Sequence, residues 1–178
     1  AVQRMLDNNL QAGGELKRIS LHGLVSITGQ LEDYSNLIGA LICLYDVTNK
    51  PDYLSNACAL TARVIKEFWD ANDQRFCLAP REQAGPKLVR SSNASDGATL
   101  SPVAVMLESL QAIDLRLARV PERFSEMPAR AIFDKALASL SAVINENPIS
   151  QCSLMRLIVG SMDGSRGSLQ YAEGGRVR

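Results

Sequence analysis

Three carboxylates stand next to the predicted starts of helices. Glu32 and Asp33 begin a helical pattern at Leu31, and Asp96-Gly97 forms a turn signal shortly before another helix. Two carboxylates held several ångströms apart across a sugar act as acid and base in glycoside hydrolysis. Neighbouring residues diverge by about 100° on a helix, so Glu32 and Asp33 do not form such a pair by themselves. Asp96 is therefore the candidate second partner.

The same carboxylates also have a structural interpretation. Glu32 and Asp33 can stabilise a helix N-terminus through its dipole, and Asp96 can simply belong to a turn. Both interpretations stay open. In the functional one the catalytic residues are Glu32, Asp33 and Asp96, and the ligand-binding residues around them are Tyr34, His22, Thr99 and Ser101.

Other kinds of chemistry are poorly represented in the 178 residues. His22 is the single histidine, and the four cysteines form no CxxC pair, so we expect no metal and no cofactor. Equal numbers of basic and acidic residues make nucleic acid an unlikely partner. No apolar run approaches a membrane span and no signal peptide is visible, so we expect a cytoplasmic protein with reduced cysteines.

Helical periodicity dominates the elements that must position these residues. A first helix at 1–10 stops at Gly13-Gly14, and residues 15–29 predict a long loop with at most a short strand. The helix from Leu31 is apolar on nearly all sides, whereas the next, from Pro51 to about Asp70, is apolar on one side. The five-residue connection between them predicts an antiparallel hairpin.

The second half repeats this organisation. Residues 70–99 predict a small β-hairpin or an extended excursion, with short apolar runs at 76–78 and 87–90 around a polar loop. Ser101-Pro102 starts a helix, another begins after Pro121 or Pro128, and Asn147-Pro148 starts the last one, which ends near Gly160. We expect an all-α domain over 1–163 and a flexible tail over 164–178.

Alternation of enclosed and one-sided helices is what an α/α-hairpin toroid needs. Six hairpins require about 200–240 residues, so this chain corresponds to about half of a ring. Half a ring would leave apolar surface of the inner helices uncovered at 37–45 and 103–117. That surface predicts self-association, a partner chain or additional residues.

Five short stretches resemble the C-terminal helical part of the thioredoxin-domain-containing, spermatogenesis-associated protein family. They are Gly-Glu-Leu-Lys-Arg at 14–18, Gly-Gln-Leu-Glu-Asp-Tyr at 29–34, Leu-Tyr-Asp-Val-Thr at 44–48, Phe-Trp-Asp at 68–70 and Asp-Gly-Ala-Thr at 96–99. Their order and spacing agree with the family from residue 1 to about residue 160. Residues 100–104 depart from it, because Leu-Ser-Pro-Val-Ala stands where the family usually has Pro-Ser-Gly-Asn-Ser.

The resemblance implies a six-hairpin-glycosidase-like toroid that follows a thioredoxin-like domain, which this sequence lacks. It implies a central cavity that binds or processes a carbohydrate-like small molecule, with a glycosidase- or sugar isomerase-like activity if the protein is an enzyme. The alternative is a non-catalytic structural or interaction module that supports the thioredoxin-like domain.

Overall fold

The computed structural model describes residues 2–82, 90–118 and 127–162. Its described part is mostly helical, as the periodicity predicts, and contains two short antiparallel strand pairs. The helices are α1 (Val2–Asn9), α2 (Leu31–Thr48), α3 (Pro51–Phe68), α4 (Pro102–Leu117), α5 (Ala129–Glu146) and α6 (Cys152–Met162). The strands are β1 (Lys17–Leu21), β2 (Leu24–Thr28), β3 (Trp69–Asp70) and β4 (Arg75–Phe76). The tail at 164–178 lies outside the described residues.

The expectation of a loop over 15–29 is wrong, because β1 and β2 form an antiparallel hairpin there. His22 and Gly23 make its two-residue turn with φ of 50° and 79°, the left-handed backbone that a tight hairpin turn requires. Leu21 and Leu24 pair across this turn and are 62% and 77% exposed. Polar and apolar residues alternate at 18–21 and 25–28, a signal that could have identified the strands, although most of the apolar side chains are exposed.

The excursion after α3 begins with a strand pair that the sequence did not predict. Trp69 and Asp70 pair with Phe76 and Arg75, so α3 ends at Phe68 instead of continuing to about Asp70. The tilted rings of Trp69 and Phe76 lie 5.0 Å apart and hold this small turn against the core. The strand predicted around 87–89 lies outside the described residues.

The core forms around α2 and α4, which pack against each other. α3 packs against α2 on one side, and α5 and α6 pack against α4 on the other. The fully buried apolar side chains of α2 lie on one broad face of the helix: Leu31, Tyr34, Leu37, Ile38, Leu41 and Ile42. Most of its other residues are half-buried, so burial on nearly all sides is not confirmed. α3 instead exposes Asp52, Ala59 and Lys66 to solvent, as expected for a helix with one apolar face.

The apolar faces that predicted self-association are covered within the chain. Leu37 and Leu41 are 3% and 0% exposed, and Val103, Leu110 and Ile113 are 1% exposed or less. The uncovered surface expected at 37–45 and 103–117 is therefore not found, because α2 and α4 cover each other. Self-association through another surface stays a prediction. Among the described helices none has the combination of length and apolarity that crossing a bilayer requires.

Candidate functional site

Helices α2 and α4 run side by side in the same direction. Near the middle of both, Ser109 Oγ lies 3.9 Å from the position that a Cβ on Gly39 would occupy. In the last turn of both, the Arg116 guanidinium forms a two-pronged ion pair with the Asp46 carboxylate, in which Nε and Oδ1 are 2.8 Å apart. Contacts between residues at matching depths along two helices require that the helices are parallel.

Helices α4 and α6 are parallel for the same reason. Glu108 accepts a 2.9 Å hydrogen bond from Arg156, and both residues lie in the middle part of their helices. Further along, the amide of Gln111 donates to the Ser161 hydroxyl over 2.9 Å. The N-terminal ends of α2, α4 and α6 therefore lie at one end of the molecule.

A cavity of about 550 Å³ opens at this common end, and we call it the Asp96 cavity. One wall is Asn36 in α2, and another is the segment that leads into α4. The start of α6 forms the third wall. The described residues that line it are Asn36, Asp96, Gly97, Ala98, Thr99, Leu100, Cys152 and Ser153.

Asp96 joins two of these helices through both of its carboxylate oxygens. Oδ1 accepts from the backbone N–H of Ser101 over 2.9 Å, and Oδ2 accepts from that of Ser153 over 2.8 Å. The backbone N–H of Asp96 itself donates to the carbonyl oxygen of Ser150 over 2.7 Å. Partial burial raises the pKa of Asp96, but the bonds from Ser153 and Ser101 outweigh it and hold this pKa below its ordinary value. The carboxylate is therefore ionised and fully engaged.

The neighbouring candidates Ser101 and Thr99 have different environments. Ser101 is buried and caps α4, because its hydroxyl accepts from the backbone N–H of Ala104 over 3.3 Å. Thr99 is exposed and lines the Asp96 cavity, and its carbonyl oxygen accepts from the N–H of Gly97. Of these two predicted ligand-binding residues, Thr99 is the one that lines the cavity.

Glu32 and Asp33 lie in the first turn of α2 beside Arg18 of β1. Arg18 contacts the carboxylate of Glu32 at 3.4 Å and that of Asp33 at 3.3 Å. Asp33 also accepts from the backbone N–H of Gln30 over 2.8 Å, which satisfies the helix end. Glu32 lies one turn before Asn36 on the same helix face, but it is not part of the described cavity lining.

Tyr34 and His22 lie away from the cavity lining. Tyr34 is 2% exposed, its hydroxyl oxygen accepts from the backbone N–H of Leu16 over 2.8 Å, and its ring packs 5.3 Å from that of Phe68. His22 is exposed at the tip of the β1–β2 hairpin. The structure thus brings Asp96 and Thr99 into one cavity, whereas Glu32, Asp33, Tyr34 and His22 lie outside its described lining.

Sequence reasoning missed every residue of this cavity that lies outside the 96–100 segment. Asn36 follows Glu32 by one helical turn, and that spacing is a signal that could have identified it. Cys152 and Ser153 become part of the cavity only because α6 packs beside α4, which no local pattern reveals. Cys152 is exposed on the cavity wall, whereas Cys58 is buried and desolvation raises its pKa to about 11.

A second cavity of about 410 Å³ lies on the other side of the segment that leads into α4. Its wall includes Asp73 and Arg75, whose ion pair spans 2.7 Å, together with Ser92, Asn93 and Ser139. Within the described ranges no group of histidine, cysteine and acidic side chains is arranged to bind a metal ion.

Comparison with known proteins identifies no family for this chain. No family model matches the chain, and no curated protein matches its sequence. The family resemblance carried by the short motifs therefore stays a prediction, and the function has to be argued from the cavity.

Proposed function

We propose that the chain is an α/α-hairpin toroid domain that spans about half of a ring and resembles the helical part of the thioredoxin-domain-containing, spermatogenesis-associated family. The order of the helices supports this proposal. The parallel helices α2, α4 and α6 lie in sequence beside one another, and α3 and α5 each connect two of them. A toroid is built from such units, with the parallel helices inside and the returning helices outside.

The Asp96 cavity is the proposed binding site for a carbohydrate-like small molecule. The observation that carries this proposal is a cavity of about 550 Å³ at the shared N-terminal end of three parallel helices, a size typical of small-molecule sites. The side chains of Asn36 and Thr99 line it and make no hydrogen bond with the described residues. An amide and a hydroxyl offer both donors and acceptors, which sugar hydroxyl groups require.

Binding is better supported than hydrolysis. A glycosidase needs two carboxyl groups that face each other across the sugar, about 5–9.5 Å apart. Both oxygens of Asp96 already accept backbone N–H groups, and Glu32 and Asp33 share Arg18. A glycosidase- or sugar isomerase-like activity of Glu32, Asp33 and Asp96 stays a prediction without further support.

A cytoplasmic location belongs to the same proposal. All four cysteines lie in the described part of the chain, and none of them forms a disulfide. Reduced thiols are typical of the reducing cytoplasm.

The reactivity of Cys152 provides a direct test of binding, because this exposed thiol lies on the cavity wall. The full chain is treated with N-ethylmaleimide, and modification of each cysteine is followed by mass spectrometry in the presence of neutral mono- and oligosaccharides. We expect at least one sugar to slow modification of Cys152 several-fold. The buried Cys58 serves as an internal control, because its slow modification changes only if the whole fold changes.

Two asparagine variants localise the effect. Asn36→Ala removes a polar group from the cavity wall and should abolish protection, whereas Asn56→Ala on the outer helix α3 should preserve it. Unchanged Cys152 reactivity across the whole sugar panel would overturn the proposed binding.

The alternative function is a non-catalytic module that supports a thioredoxin-like domain. A specific observation favours it: Asp96 and Asp33 both connect parts of the fold, and the hairpin exposes Leu21 and Leu24. Failure of every sugar to protect Cys152 would favour this alternative.

A further inference from the structure

The electrostatics of the Asp96 cavity determine the charge of the ligand it accepts. Three helix N-termini at one end of a molecule ordinarily attract an anion, because their backbone N–H groups and dipoles are positive. The cavity would then prefer a sugar phosphate or a uronic acid. The described residues indicate the opposite preference, because the chain supplies its own anions to all three helix ends.

The carboxylate of Asp96 neutralises α4 and α6 together. It accepts the N–H of Ser101, the N-cap of α4, and the N–H of Ser153 in the first turn of α6. These N–H groups are consequently engaged and cannot bind an anionic ligand. A ligand anion entering the cavity would also face the ionised Asp96 without a compensating donor.

The N-terminus of α2 is neutralised in the same way. Asp33 accepts the N–H of Gln30, and Glu32 adds a second negative charge to the first turn. A single cation, Arg18, balances these two carboxylates. The first turn of α2, one turn before the lining residue Asn36, therefore has an excess of negative charge.

No lysine or arginine is present in the described lining of the Asp96 cavity. The nearest cation along α6 is Arg156, one turn after Cys152. Its guanidinium pairs with Glu108 at 2.9 Å, and its charge also helps to lower the pKa of Asp96, so this single cation is shared by two carboxylates. The second cavity differs, since Arg75 forms part of its wall.

From this arrangement we infer that the Asp96 cavity selects uncharged sugars and excludes sugar phosphates and uronic acids, with Asp96 as the residue that determines this specificity. The inference rests on the proposed sugar binding and specifies its substrate class. Asp96 acts by charge and by occupying the helix N-termini, without a role in bond breaking.

Matched pairs of sugars test this inference through the reactivity of Cys152. The pairs are glucose with glucuronate, galactose with galacturonate, and mannose with mannose 6-phosphate. We expect the neutral member of an effective pair to protect Cys152. The acidic member should bind about fivefold more weakly, because one nearby like charge has an effect of this size in water. Binding of an acidic sugar beside Arg75 would leave Cys152 reactive, so the measurement reports one cavity.

Two changes should reduce the difference in Cys152 protection between neutral and acidic sugars. Asp96→Asn removes the negative charge and should bring the acidic member close to its neutral partner. Because this variant loses part of its stability, the wild-type chain is also measured at high salt. Screening should there reduce the difference in Cys152 protection between neutral and acidic sugars without any substitution.

The outcomes separate the two proposals. Equal or better protection by the acidic members at low salt overturns the inference and leaves sugar binding intact. The inference is also overturned if the ratio of Cys152 protection by neutral and acidic sugars stays the same in Asp96→Asn and at high salt. Charge would then not be the cause of the discrimination. No protection by any sugar overturns the proposed function, and the inference with it.

Discussion

The β1–β2 hairpin leads into α2, and the segment at 91–101 leads into α4, yet they are held by different interactions. The hairpin pairs its own backbone and leaves Leu21 and Leu24 exposed. The 91–101 segment contains no described helix or strand, and its Asp96 accepts from Ser101 within the segment and from the distant Ser153. The regular segment is bonded to nearby residues of α1 and α2, whereas the irregular one also depends on Ser153, 57 positions after Asp96. Substitutions should therefore act locally in the hairpin and over several helices in the 91–101 segment.

Asp96→Ala should have the largest effect. It removes two charge-assisted hydrogen bonds and leaves the N–H groups of Ser101 and Ser153 without their acceptor, so we expect a loss of about 2–4 kcal/mol in the free energy of unfolding. Urea denaturation measures this loss. Asp134→Asn is the control, because its exposed ion pair with Arg130 should contribute less than about 0.5 kcal/mol. Equal losses in both variants would contradict the connecting role of Asp96.

Tyr34→Phe should have the next largest effect, at the base of the hairpin. It leaves the buried N–H of Leu16 without an acceptor and should lower the free energy of unfolding by about 1–3 kcal/mol. Tyr53→Phe on α3 is the matched control, because the Tyr53 hydroxyl makes no hydrogen bond with the described residues. If the two variants have the same denaturation midpoint, the Tyr34 hydroxyl does not anchor the hairpin.

Ile27→Gly should raise stability slightly. Ile27 is 56% exposed and has a φ of 61°, a left-handed conformation that is unfavourable for a β-branched residue. Relief of this strain should add about 0.5–1 kcal/mol to the free energy of unfolding. Ser26→Gly, at an adjacent position without a positive φ, should lower it by a similar amount. A loss of stability in Ile27→Gly would contradict the proposed strain.

The smallest effect is a change in acid sensitivity. The folded-state pKa of Asp96 lies below its ordinary value, so its stabilising contribution is complete above that value and is lost as the pH falls through the folded-state pKa. The stability difference between the wild type and Asp96→Asn should therefore shrink below about pH 4. Urea midpoints measured from pH 7 to pH 3 check this, and a constant difference would show that ionisation of Asp96 does not stabilise the fold.

The helices were predictable because their signals are local. The apolar period starting at Leu31 and the prolines at 51 and 102 identify the beginnings of α2, α3 and α4. The hairpin was missed although 18–21 and 25–28 alternate polar and apolar residues, because the glycines in this stretch favoured a loop.

The candidate site was only partly predictable for a different reason. Asp96 and Thr99 were identified from a motif, and the structure places them in one cavity. The partner of Asp96 at Ser153 comes 57 positions later, and α6 reaches Asp96 only through packing on α4. A pattern in the sequence carries no information about such a distant approach.

The separation of 57 positions between Asp96 and Ser153 also gives folding an order. The two-residue connection at Asn49 and Lys50 lets α2 and α3 pair quickly, because closing a short loop has a small entropic cost. The bond to Ser153 forms only after α5 has returned the chain to the start of α6. We expect amide protons of α2 and α3 to become protected first during refolding, and those at the start of α6 last.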